Sequence, residues 1–235
     1  MLSTLVSRTG PPHTGPSRIG VVLLALFTAA CSGGGTYFRD TNAPWRAQTE
    51  YACLNQLSSM SQQLNAVFTP IDKIDGPRSC GAAQPLKLTA VSGGRVALDP
   101  PATLRCPMIP PTVHWIETVV QPAARRHFGA DVSKVDVAAS YGCRPRNNRP
   151  GAKLSEHGFA NALDVSGFTL TDGRKVKLSS GYYGARNERA FLRAVEAGAC
   201  GPFKTVLGPR ADRHHRNHFH MDLARHGDGT ATYCK

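Results

Sequence analysis

The chain has 235 residues with 41% hydrophobic side chains, long enough for one domain with a real core, and no internal repeat points to a solenoid or an array. Its net charge of +12 invites a nucleic-acid reading, but no recognition motif for DNA or RNA accompanies the charge, so no nucleic acid is expected as a partner.

Residues 1–30 carry Arg8 and Arg18, no acidic residue, and the apolar run Ile19 to Ala30. That run is too short to span a bilayer as an ordinary helix and fits the h-region of an export signal peptide. It ends at Ala29-Ala30-Cys31-Ser32-Gly33-Gly34-Gly35, which resembles a bacterial lipoprotein cleavage site, with Cys31 lipidated and residues 31–43 forming the lipid-anchored tether. Thr28 stands where that motif usually has leucine, so plain cleavage after Ala30 is the alternative. Either cut leaves a net charge of +10. For such a chain the nearer anionic partners are cell-wall polymers, acidic lipid head groups and the carboxylates of peptide stems.

Residues 44–235 form the expected domain. Tyr51, Leu54, Leu57 and Leu64, with Trp45 near the start, predict a helix over 44–66 that packs on the core. Short alternating runs follow at Val67-Phe68, Leu86 to Val91 and Arg95 to Leu98, broken by Gly76-Pro77 and Gly93-Gly94, and these read as strands and turns. The next helix is expected over 111–128, with Val113, Ile116, Val120 and Ala124 on one side and a kink at Pro122. Val135 to Tyr141 alternates as a strand and runs into Gly142-Cys143-Arg144-Pro145-Arg146. Asp164 opens a strand that pairs with 174–178 across the turn Thr171-Asp172-Gly173. Asn187 is placed to cap a helix over 188–199, and Phe203 to Leu207 is a strand. After a loop over 208–216 comes a short strand bearing histidines. The predicted fold is α+β: a small, mainly antiparallel sheet carrying the site and flanked by helices.

Seven cysteines are present, and Cys31 aside, Cys53, Cys80, Cys106, Cys143, Cys200 and Cys234 form an even set in an exported chain. Three disulfides are expected, with the pairing open among about 15 possibilities.

Two stretches carry chemistry. One runs from Ser155 to Asp164 with His157 inside it, and the other is His215-Arg216-Asn217-His218-Phe219-His220-Met221-Asp222. A catalytic zinc takes three nitrogen or carboxylate ligands and leaves a position open. His157, Asp164 and one histidine of the second stretch meet that count. Alternation along a strand puts His218 and His220 on one side, so one can bind Zn2+ while its neighbour faces substrate. Zinc would activate water and polarise a carbonyl, making amide hydrolysis feasible, and no Gly-x-Ser-x-Gly elbow offers a competing nucleophile. His13, His114, His127, His214 and His226 are read as ordinary surface or core histidines.

The pattern Ser155-x-His157, Ala162-x-Asp164 and His218-x-His220 resembles the superfamily of D-Ala-D-Ala carboxypeptidases, lysostaphin-type endopeptidases and the penicillin-insensitive murein endopeptidase. Ala160 stands where that family has glycine. The resemblance implies His157, Asp164 and His220 as ligands, with His218 unligated beside the reacting water. His215, three residues before the pair, matches the spacing of a further histidine in the murein endopeptidase. Carboxypeptidase relatives place a glutamate base near this point, whereas here only Glu196 follows Arg189, so the base falls to His218 or His215. An arginine after the preceding strand would meet a carboxylate or oxyanion, with Arg144 the choice and Arg146 the reserve. Ser155, Asn161 and Asp222 are expected to orient the ligands.

A closer resemblance covers nearly the whole exported part, to the bacterial extensin-like C-terminal domain family. It is carried by Asp99 to Pro107, Val120 to Arg126, Ser140 to Arg144, the Ser155 to Asp164 motif, Leu207-Gly208-Pro209 and His218 to Asp222. This resemblance implies the fold and the metal site; joined to the peptidase resemblance and the export signal, it leads to the expectation of an envelope or periplasmic zinc metallopeptidase-like protein acting on peptidoglycan or its stem peptides, held at a membrane by its N-terminal lipid. The alternatives are a non-catalytic envelope protein that keeps the fold to bind peptidoglycan or scaffold a partner, and a basic anion-binding module.

Overall fold

The strands owe their order to alternation of apolar and polar side chains, and the computed structural model describes them within residues 10, 44–60, 64–77 and 79–235. Apart from Gly10, the expected signal peptide, Cys31 and the tether over 31–43 lie outside the described residues. The elements in chain order are α1 (Pro44–Met60), β1 (Val67–Pro70), β2 (Ile74–Asp75), β3 (Gly81–Ala82), β4 (Leu86–Val91) and β5 (Val96–Leu104). A helical stretch follows, made of a 3-10 turn (Cys106–Met108), α2 (Ile109–Trp115), a π-helical turn (Ile116–Val120) and α3 (Gln121–Phe128). Then come β6 (Val132–Ala139), β7 (Ala162–Leu170), β8 (Lys175–Lys177), α4 (Leu178–Gly181), α5 (Arg186–Ala199), β9 (Thr205–Leu207), β10 (Phe219–Asp222) and β11 (Tyr233–Cys234).

Among the described residues the sheet has nine strands in the order β1, β4, β5, β6, β7, β10, β9, β11, with β8 paired to β7, while β2 and β3 form a separate hairpin. This corrects the expectation of a small sheet. The fold is α+β and most pairings are antiparallel, but β5 with β6 and β9 with β11 are parallel, so the sheet is mixed. A parallel neighbour needs a crossover, and α2 through α3 supplies the one from β5 to β6.

The helix boundaries bring further corrections. Pro122 lies in the first turn of α3, directly after the π-helical turn, and the chain continues helical through it. A π-helical turn is a place where a helix departs from its regular bonding, and it stands directly before the proline expected to kink the helix. Asn187 caps nothing: Ala185 is the N-cap of α5, and no side chain bonds there. β5 runs on through Pro100 and Pro101, beyond the expected end at Leu98. The two prolines sit where the register with β4 shifts and past the last pairing with β6, so no ladder bond is asked of them.

One face of the sheet packs on the crossover helix and α5. Trp115 is buried against Phe168 and Phe203 and donates its indole N–H to the Val195 carbonyl at 3.0 Å. Phe128 and Phe168 close on Phe191. Leu163 and Val165 of β7, Phe219 and Met221 of β10 and Val206 of β9 point into this core. Their alternate neighbours on the same strands face the other way, and those build the site.

All six described cysteines pair, as Cys53 with Cys106, Cys80 with Cys143 and Cys200 with Cys234. The first ties α1 to the start of the crossover helix, the second ties the β2–β3 hairpin to the loop after β6, and the third ties α5 to the last strand. Three disulfides place the domain in an oxidising setting such as the extracellular space or periplasm.

Candidate metal centre

Register brings the site together. In the antiparallel pair of β7 and β10, Asp164 stands directly opposite His220, and Ala162 opposite Asp222. His157 arrives from the 3-10 turn Glu156–Phe159 that leads into β7. The result is a triangle of donor atoms: His157 Nε2 lies 3.1 Å from Asp164 Oδ1 and 3.1 Å from His220 Nδ1, and His220 Nδ1 lies 2.9 Å from Asp164 Oδ1. All three residues are buried, and the group could hold a metal ion. Ligand atoms about 2.0–2.1 Å from a tetrahedral zinc stand roughly 3.3 Å apart, close to this spacing.

The outer hydrogen bonds fix which nitrogen faces inward. His157 Nδ1 meets the Ser140 carbonyl, which only accepts, so Nδ1 carries a proton and Nε2 is the nitrogen turned to the centre. His220 Nε2 donates to Asp222 Oδ2 at 2.9 Å, so its Nδ1 lone pair faces the same point. Two such nitrogens and a carboxylate oxygen within 3.1 Å repel one another unless a cation sits among them. The donor set and its outer partners therefore suit a divalent ion.

In the absence of an ion a proton fills that role. Burial opposes the charged form of His220, yet hydrogen bonds to Asp164 and Asp222 outweigh it and push the imidazole up to about 9. Burial likewise disfavours the Asp164 carboxylate, but His157 and His220 hold it well below the ordinary carboxylate range. Asp222 is lowered despite burial by His220, by Thr205 and by the Ala224 N–H.

Of the remaining expected residues, Arg144, Arg146, Ser155, His215, His218 and Asp222 line one cleft of about 610 Å³ around this triangle. Arg144 Nη2 is 3.5 Å from Asp164 Oδ2, which singles out Arg144 over Arg146, although both line the cleft. His218 Nε2 is 3.7 Å from Asp164 Oδ2, and its ring lies 5.3 Å from that of His215. Burial lowers the pKa of both histidines below the ordinary imidazole value, leaving neutral bases beside the donor triangle at pH 7. His215 Nδ1 also bonds Asp212 Oδ1 at 2.9 Å, which fixes that ring. Ser155 opens the 3-10 turn as its N-cap, accepting from the His157 N–H at 3.5 Å. Asp222 lies against His220 through the bond to Nε2.

Asn161 acts differently from its expected place beside the ligands. Its Nδ2 donates to Glu156 Oε2 at 2.6 Å, and Arg46 grips the same carboxylate at 2.9 and 3.1 Å. This buried cluster braces the turn that carries His157. Sequence reasoning missed Glu156 and Arg46, because they are 110 residues apart and nothing local in either marks the pairing. Asp212 was also missed, although its position three residues before His215 in a polar turn was a signal. Ala160 takes the left-handed conformation at the C-cap of the turn, φ 50°, a backbone position that favours glycine. His214 and His226, read as ordinary histidines, both line the cleft.

A family model described as extensin-like protein C-terminus matches residues 51–235. No curated protein and no solved structure matches the chain.

Proposed function

The chain belongs to the extensin-like protein C-terminus family, and on that footing we propose that it is an exported zinc metallopeptidase-like protein that hydrolyses peptide bonds in peptidoglycan stems or cross-links. The observation that carries the reading is the convergence of His157 Nε2, Asp164 Oδ1 and His220 Nδ1, with the tautomers set from outside, at the floor of an open cleft. Three protein ligands leave a fourth position for chemistry. A zinc ion held by His157, Asp164 and His220 would supply Lewis acidity toward a carbonyl and toward water.

The chain's own groups divide the rest. His218, unprotonated at pH 7, takes the proton as the nucleophile forms and returns it to the leaving amine, with His215 behind it. Arg144 presents its guanidinium to the oxyanion or to a substrate carboxylate. Asp222, the Ser140 carbonyl and the Glu156–Arg46 cluster hold the ligands while this happens. Export through residues 1–30, with lipidation at Cys31, places the domain at the envelope, where its basic surface meets anionic wall polymers.

The test is direct. Zinc content is measured on the purified mature chain, and peptidoglycan is digested with it and with His220→Ala. New muropeptides that vanish with the variant are expected. One zinc per chain without cleavage of any wall preparation would sink the peptidase reading and leave a binding protein.

A further inference from the structure

The strand face that carries His220 continues past the metal centre. Asp222 lies two residues on, and in the antiparallel pair of β10 and β9 it stands directly across from Thr205. Thr205 is buried, and across the pair its hydroxyl sits on the same side of the sheet as the Asp222 carboxylate, whose charged form it favours. The hydroxyl oxygen is 2.8 Å from His226 Nε2. A hydroxyl has one proton, and turned toward the carboxylate across the pair it leaves the Thr205 oxygen to accept from His226 N–H. A one-way series results, from His226 to Thr205, Asp222 and the Nε2–H of His220.

We propose that His226 is a positioning residue for the metal ligand His220, acting through Thr205 and Asp222, and that the Cys200–Cys234 disulfide keeps it there. Residues 225–235 bury little of themselves, so their place depends on other ties. Tyr233 pairs with Thr205 in parallel register, the Tyr233 N–H bonds the Lys204 carbonyl at 2.8 Å, and His226 bridges to Ala231. Cys234, the next residue, is fixed to the end of α5 by the disulfide. The strap thereby also places Tyr233 and His226 on the cleft wall.

The proposal rests on the metal-centre reading, and its test separates the two. Zinc dissociation constants are measured by chelator competition, with visible spectra of the cobalt form, for the unaltered chain and for Thr205→Val, His226→Leu and His226→Gln. Partners that bond a ligand directly are worth about 10- to 100-fold in metal affinity, so groups one and two steps further out should cost roughly 3- to 10-fold. Thr205→Val and His226→Leu are expected to weaken zinc by that factor and to shift the cobalt bands. His226→Gln keeps an N–H for Thr205 and is expected to restore both. Equal loss in the glutamine and leucine variants, or none in either, overturns the proposal.

A serine pair at Cys200 and Cys234, if folded, should weaken zinc as His226→Leu does. Unchanged affinity there removes the disulfide from the proposal. Should the unaltered chain bind no zinc, the metal-centre reading fails alone, because exchange of the His220 Nε2 proton, followed by 15N NMR in the metal-free protein, still decides. It is expected to quicken in His226→Leu and not in His226→Gln, and equal exchange in all three overturns the proposal.

Discussion

His157, Asp164 and His220 are buried polar residues whose cost is offset only when a cation completes them. Because His220 holds a proton up to about 9 in the metal-free protein, an incoming ion must displace it. Below that pH, binding should release close to one proton and affinity should climb as pH rises, levelling above about 9. Calorimetry in two buffers of different ionisation enthalpy measures the release, and affinity independent of pH between 6 and 8 would contradict it. Ala160 supports a second expectation. Ala160 already bears the left-handed cost, and a β-branched side chain at this buried position adds strain and crowding, so Ala160→Val should lower stability by about 1–3 kcal/mol in denaturant melts. Ala160→Gly should be tolerated. At this scale the ligands were legible because two short motifs carry them, His157 and Asp164 in one beside Ser155, and His220 in the other beside Asp222. The Glu156–Arg46 pair was not, because a buried ion pair joins residues with no common local pattern, and only the fold brings them together.

Strand register turns those residues into a site. Asp164 opposite His220 and Thr205 opposite Asp222 are consequences of two antiparallel pairings, with core side chains on the alternate positions locking each register. The loop after β9, which delivers Asp212 and His215, is held from behind. Glu196 is buried on α5, accepts from the Tyr182 hydroxyl, and pairs with Arg210 at 3.2 Å. A Cβ at Gly208 would overlap its Oε1 atom. Gly208→Ala should therefore cost about 1–3 kcal/mol and disturb the His215 loop, read as a lower melting midpoint with loss of any hydrolytic activity. An unchanged midpoint would show that the loop is not clamped there. The longer strands and helices were legible from periodicity. β2, β3 and β11 were not, since two residues carry no period, and the π-helical turn before Pro122 answers to packing rather than to propensity.

Across the molecule, three disulfides close segments of 53, 63 and 34 residues around a mixed nine-stranded sheet. Chain-entropy arguments assign each about 4 kcal/mol, so replacing Cys53 and Cys106 by serine should cost about 2–5 kcal/mol. Thiol titration of residues 44–235 in the native protein should find none free, and more than a trace would contradict the pairing. The cysteine parity was legible, while the pairing needed the fold, because it links segments that only the sheet brings near. The metal centre itself is tested most directly by X-ray absorption on the zinc-loaded protein beside His220→Ala. One zinc per chain is expected, bound by two imidazole nitrogens and one carboxylate oxygen at about 2.0–2.2 Å, with a nitrogen lost in the variant. No stoichiometric zinc, or the same ligand shell in both proteins, would contradict the assignment of His157, Asp164 and His220.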